Sequence, residues 1–138
     1  GVPVTVMFAP AIPGLNDHEM EAVLERAAQA GASGAGYVAL RLPREIKDLF
    51  REWLETDHPD RARRVMSLVR QIRGGKDYDA EWGSRMKGQG AVAELMATRF
   101  AAAKRRYGLD QGWGSLDAGK FRVPPKPGGQ RDLFEGAP

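Results

Sequence analysis

The sequence predicts an α/β fold, and three observations lead there. Val4–Ala9 and Tyr37–Leu42 are apolar runs rich in β-branched and aromatic residues. The segment between them repeats apolar residues at helical spacing, and most of the chain after Pro43 does the same. A strand, a helix and a second strand in that order make a crossover unit, and its right-handed form sets the two strands parallel.

Taken in order, Val4–Ala9 is apolar on both faces, as in a buried parallel strand. A proline-rich turn, Ala9–Asp17, follows it, and Asn16 or Asp17 is placed to cap the next helix, with Glu19 at the capping-box position. Met20, Val23, Leu24, Ala27 and Ala28 lie on one helical face, and Gly31 suits the C-cap. Tyr37–Leu42 is the second strand, ended by Pro43. Ile46, Leu49, Phe50, Trp53 and Leu54 define an amphipathic helix, which Asp57-His58-Pro59 breaks. Pro59 suits the first position of the next helix, with Ala62, Val65, Met66, Val69 and Ile72 inward. Gly74-Gly75 stops it, and residues 74–90 read as a loop. A last helix over about Ala91–Tyr107 turns Val92, Leu95, Met96 and Phe100 inward. Beyond it, Val123–Gln130 has little means to build a core and reads as an extended or mobile tail.

Two strands do not make a stable parallel sheet with both faces covered. Either further strands belong to the fold, or chains associate to supply them through the open edge. The first residue is Gly1, not Met, and the expectation is a fragment or a processed product.

The 138 residues suffice for one core and include no cysteine. Disulfides, zinc-thiolate sites, thiol nucleophiles and cysteine-held iron–sulfur clusters are therefore excluded within them. No signal peptide or membrane-spanning run is visible. The net charge of +3 is unevenly spread: residues 1–40 carry −3, residues 41–106 carry +6, and the remainder is neutral. The positive middle suits either an anionic partner or a set of solvated helix faces.

Motifs with chemistry are few. His18 and His58 have no ligand-type spacing, and Ser33, Ser67, Ser84 and Ser115 lack a nucleophile elbow. Gly31–Gly36 resembles a phosphate loop but precedes a strand, whereas a dinucleotide loop follows one. The turn Ala9–Asp17 lies at the carboxyl end of a strand, where α/β proteins place ligands; it is either a ligand border or a rigid turn. Arg41, in the last turn of an apolar strand, either holds an anion at the strand's mouth or pairs with an acid of the next helix. Arg73–Arg85 mixes glycines, basic groups and the aromatics Tyr78 and Trp82. It suits stacked bases and phosphates, or a surface loop tucked under the helices.

The ordered string Gly1-Val-Pro-Val…Ala9-Pro-Ala-Ile-Pro-Gly-Leu-Asn-Asp17, Gly36-Tyr-Val-Ala-Leu-Arg-Leu-Pro43, Lys47-Asp-Leu-Phe-Arg-Glu-Trp53 and Arg73-Gly-Gly-Lys-Asp-Tyr78 resembles the C-terminal portion of radical S-adenosylmethionine proteins. The closest group is the bacterial set related to spore photoproduct lyase, and the resemblance covers about Gly1 to Leu109. It implies an incomplete (β/α) TIM-like barrel. Residues 1–43 would be its last strand–helix–strand unit, 44–109 a helical extension and 110–138 a Gly/Pro-rich tail.

The resemblance also implies a parent enzyme that uses S-adenosylmethionine and a [4Fe-4S] cluster for radical hydrogen abstraction, with nucleic acid as a candidate substrate. The cluster's Cys-x-x-x-Cys-x-x-Cys loop is absent, so this chain alone would be inactive and bind neither cofactor. Ala9, Pro10, Ile12, Pro13, Arg41 and Leu42 would border the adenosyl group. Lys76, Tyr78 and Arg85 are the substrate-side candidates; no catalytic or metal residue is carried over. The implied partner is the N-terminal half of the barrel, and the implied compartment is the cytoplasm. The alternative is a non-enzymatic module that binds nucleic acid or self-associates.

Overall fold

The computed structural model describes residues 2–76, 84–111, 119 and 121–123. Within these, strand β1 (Thr5–Ala11) leads through a turn and a short 3-10 segment (Asp17–Glu19) into helix α1 (Met20–Gln29). Strand β2 (Gly34–Ala39) follows, then helices α2 (Ile46–Asp57), α3 (Pro59–Gln71), the single turn α4 (Ser84–Lys87) and α5 (Gly90–Arg106). The two strands pair in parallel, with Thr5 opposite Gly34 and Phe8 opposite Tyr37, and the register shifts between Phe8 and Ala11. The fold is thus mixed α/β with a two-stranded parallel sheet. Among the described residues no helix is long and apolar enough to cross a membrane.

Both strands depart from the sequence expectation at their ends. β1 runs on through Ala9-Pro10, joined by a cis peptide bond, to Ala11, whose carbonyl accepts a hydrogen bond from the Leu40 N–H. The turn is therefore Ile12–Asp17 rather than Ala9–Asp17. β2 begins at Gly34, since its small residues admit the side chains of β1. A Cβ at Gly34 would stand 2.8 Å from Thr5 Oγ1, and one at Gly36 would stand 2.6 Å from Met7 Sδ. β2 ends at Ala39, so Arg41 and Leu42 lie on the extended exit and not in the strand.

One sheet face carries the core. Phe8, Ala11 and Ala35 pack with Met20 and Leu24 of α1, Met96, Phe100 and Ala103 of α5, and Leu109 beyond it. Tyr37 joins them, its ring 4.8 Å from that of Phe100. The other face does not match the expectation of burial on both sides: Met7 is 53% exposed. Ala9 is exposed as well, so the apolar pattern of β1 is only half used.

A second cluster sits where the strands end. Ile12, Leu40 and Leu42 insert between α2 and α3 against Leu54, Ala62, Val65, Met66 and Val69. A third joins Ala39 and Ile72 to Ala93 of α5. α3 buries the face expected of it; on α5 Met96 and Phe100 are buried, Val92 is half-buried and Leu95 is 60% exposed. α2 behaves differently. Only Leu54 is buried, while Ile46, Leu49 and Trp53, a stripe at positions i, i+3 and i+7, stay exposed. Trp53 leans on Phe50 and on the His58 ring, at 5.6 and 5.0 Å between centroids.

The helix ends follow local chemistry. After α1, Gly31 has φ +90° and donates its N–H to the Ala28 carbonyl, while Ala32 N–H reaches the Ala27 carbonyl. After α5, Gly108 at φ +65° repeats the pattern with Arg105 and Lys104. These are paired Schellman closures, which need a left-handed residue that glycine supplies without a steric penalty.

Candidate functional site at the carboxyl ends of the strands

Two arginines organise the ends of the strands: Arg99, to which the sequence reading assigns no role, and Arg73, which it reads only as the start of a basic, glycine-rich loop. The turn after β1 is closed by side chains that fold back onto it. Asn16 Oδ1 accepts from the Ile12 N–H and Asp17 Oδ1 from the Gly14 N–H, both at 2.7 Å, and Asn16 Nδ2 donates to the Pro10 carbonyl at 3.0 Å. Asn16 and Asp17 therefore do not cap the helix as expected; no side-chain cap bond forms at either helical start. The turn's own N–H groups are nearer and compete for the same oxygens.

Arg99 of α5 then locks this turn to α1. Its Nε and Nη2 donate to the two Glu21 carboxylate oxygens, each at 2.8 Å. Nη1 reaches Asp17 Oδ2 at 3.0 Å, and Nη2 also reaches the Asp17 carbonyl at 2.7 Å. The fork geometry matches the bidentate preference of guanidinium for carboxylate. The hydrogen bonds from Arg99 hold the Glu21 carboxyl below its ordinary 4.5, against an opposing effect of burial. The same bonds raise Arg99.

At the end of β2 the organising group is Arg73, only 1% exposed. Nη2 donates to the carbonyls of Ala39 and Leu40 at 3.1 and 2.6 Å, and Nη1 to those of Ser84 and Arg85 at 3.1 and 3.0 Å. A buried cation is costly in isolation, and four carbonyl dipoles directed at one guanidinium offset that cost. Arg73 is thus a tie between the exit of β2 and α4, not a group exposed to a polyanion.

The residues expected to border a ligand divide accordingly. Ile12, Pro13 and Leu42 are buried; Ile12 and Leu42 belong to the second core cluster, so their side chains are not available. This reflects the exit of both strands straight into the α2–α3 layer. Ala9 and Pro10 remain exposed. Arg41 is half-buried, with Nη1 3.9 Å from Met86 Sδ of α4. Lys76 is exposed, Arg85 is half-buried with its backbone held by Arg73, and Tyr78 lies outside the described residues.

The structure therefore brings Ala9-Pro10, Arg41 and α4 to one end of the parallel pair. Arg41, Arg85 and Lys87 give that end a cationic character. His18 and His58 are apart from it: His18 lies 3.8 Å from Glu19 at the surface, and His58 packs on Trp53. Among the described residues no group of three or more His, Cys, Asp or Glu could hold a metal. Family models, curated proteins and solved structures all fail to match the chain.

Proposed function

We propose that this chain is the C-terminal part of a radical S-adenosylmethionine enzyme, and that it contributes the last parallel strand pair and one wall of the active site. The observation that supports the reading is the bare apolar face of the sheet. α1 and α5 pack on one side of the two parallel strands, and Met7 is left more than half exposed on the other. That is the arrangement of strands in a barrel wall, with helices outside and an interior that the side chains of further strands would fill. The exposed stripe Ile46, Leu49 and Trp53 on α2 supports it too, as a second surface awaiting a neighbour.

The residues present fit the cofactors only in part. With no cysteine, this chain offers no thiolate to an iron–sulfur cluster, so the cluster would be held by the preceding part of the parent. Ala9 and Pro10, exposed near the end of β1, fit the edge of an adenosyl group; Ile12, Pro13 and Leu42 do so only as the packing beneath it. When bound, the two groups would supply one-electron cleavage of S-adenosylmethionine and hydrogen abstraction from the substrate. This chain's own part is to orient and to exclude water. The Arg73 tie fixes α4 beside the strand ends, and Arg41, Arg85 and Lys87 would hold an anionic portion of the substrate there.

The test uses the longer polypeptide encoded in frame with this chain. Reconstituted anaerobically with iron and sulfide, then given S-adenosylmethionine and a reductant, it should release 5′-deoxyadenosine. This chain alone should take up no iron. A longer protein that gains cluster absorbance yet never cleaves S-adenosylmethionine would overturn the reading.

A further inference from the structure

A groove of about 500 Å³ lies between α3 and α5, with the turn after β1 forming part of its lining. Leu68, Val92, Leu95 and Met96 give it an apolar lining, and Arg61 and Arg64 of α3 add cationic groups. Leu95 is 60% exposed in the middle of a helix whose next residue, Met96, is 2% exposed. An isolated exposed leucine is ordinary; one that borders half-buried Leu68 and Val92 in a concave surface marks a contact site.

The charges point the same way. Asp17 also lines the groove, but one of its carboxylate oxygens accepts from Gly14 N–H and the other from Arg99. Arg61 has Asp60 at 3.7 Å from its Nε, an ion pair exposed on both sides and so weak. The field over the apolar lining is therefore set by Arg61 and Arg64.

The geometry points to an acidic amphipathic helix as the occupant. Its apolar side would rest on Leu68, Val92, Leu95 and Met96, and its carboxylates would face Arg61 and Arg64. An extended peptide is disfavoured, since the Ile12 and Gly14 N–H groups of the adjoining turn are already taken by Asn16 and Asp17. A helix satisfies its own backbone and needs none of them. Single-stranded nucleic acid is disfavoured because no Phe, Tyr or Trp lines the groove to offer a broad stacking platform. Of the residues considered for the adenosyl group only Pro13 borders this groove, so the inference stands apart from the proposed reaction.

Fluorescence anisotropy tests it on the full chain. The probe is a labelled peptide of about fourteen residues, roughly four helical turns, with Leu at i, i+3, i+4 and i+7 and Glu predominating elsewhere. It should bind saturably, and the affinity should fall as salt rises. Leu95→Asp and Arg64→Glu should each weaken it about tenfold or more, the size of one central contact. Arg63→Glu, on α3 but outside this groove, should leave it essentially unchanged. Circular dichroism confirms that each variant is folded.

Four results would overturn the proposal. They are absence of binding, equal binding of a scrambled peptide, equal weakening by Arg63→Glu, and a single-stranded oligonucleotide that binds in preference to the peptide. Concentration-dependent dimers that Leu95→Asp abolishes would also overturn it, in favour of a second copy as the occupant.

Discussion

Arg73 Nη2 lies 2.6 Å from the carbonyl oxygen of Leu40, thirty-three residues earlier in the chain. That bond and its three companions join the exit of β2 to α4 through one buried side chain. Removing the guanidinium leaves at least two buried carbonyls without a donor, at about 1–3 kcal/mol each. Arg73→Met should therefore lower the unfolding free energy by roughly 2–6 kcal/mol, measured by urea denaturation. Arg73→Lys should lose less, because an ammonium keeps three donors but lacks the planar fork. A change within about 0.5 kcal/mol for Arg73→Met, the size of an ordinary surface substitution, would count against the tie.

The Glu21–Arg99 pair sets a pH dependence. Glu21 has a folded value below 4.5, so it binds fewer protons folded than unfolded. Its stabilising contribution is complete above that ordinary value and is lost as the pH falls through the lower folded one. Thermal melts of the native protein and of Glu21→Gln should differ by a constant amount from neutral pH down to about 5, and the difference should shrink progressively as the pH falls further. Glu21 is partly exposed, so the constant difference should be small and reduced by salt. A gap that persists unchanged at the lowest pH would show that the carboxylate charge is not its source.

Gly14 and Gly31 share a left-handed backbone but not an environment. A Cβ at Gly14, φ +79°, would stand 2.8 Å from Leu68 Cδ1, whereas one at Gly31, φ +90°, meets nothing within 4 Å. Gly31→Ala should cost about 1–2 kcal/mol for the backbone alone. Gly14→Ala should cost that and a little more, since the end of a leucine side chain can move aside. Equal stability of Gly14→Ala and the native protein would contradict the turn as described.

The Tyr37 hydroxyl is buried and has no hydrogen-bond partner among the described residues, and burial raises its pKa. Its ring, packed on Phe100, carries the contact energy. Tyr37→Phe should therefore be neutral or stabilising by up to about 1 kcal/mol in chemical denaturation. A clear loss of stability would mean that the hydroxyl has a partner after all.

The order of elements was legible in the sequence because each rests on a local signal. Gly31, Pro59 and the apolar periods of α1, α3 and α5 place helices within a residue or two. Strand limits were less legible. Pro10 reads as a stop, yet β1 continues through it, and Gly34 reads as a connection, yet it serves the strand by making room for Thr5. Periodicity also identifies an apolar face without saying what covers it: Leu95 reads as inward and Ile46, Leu49 and Trp53 as one amphipathic stripe, yet all four are exposed.

The site was less legible still. Arg41 and Arg85 were singled out separately, and it is Arg73 that brings their elements together. The acceptors of Arg73 are backbone carbonyls, which every residue has, so nothing in the sequence marks them. Arg99 was equally hidden, because its partners Asp17 and Glu21 lie seventy-eight or more residues away and read locally as helix-start acids.

The insertion of Ile12, Leu40 and Leu42 between α2 and α3 has a consequence for how the chain can be divided. The strand–helix–strand unit and the helices after Pro43 look like two consecutive modules, but each holds part of the other's interior. Severed at Pro43, the first piece would lose the cover that Phe100 gives Phe8 and Leu24, and the second would open a gap where Leu40 and Leu42 had been. The chain has a seam in its sequence but none in its interior, and it should fold and unfold as one cooperative unit.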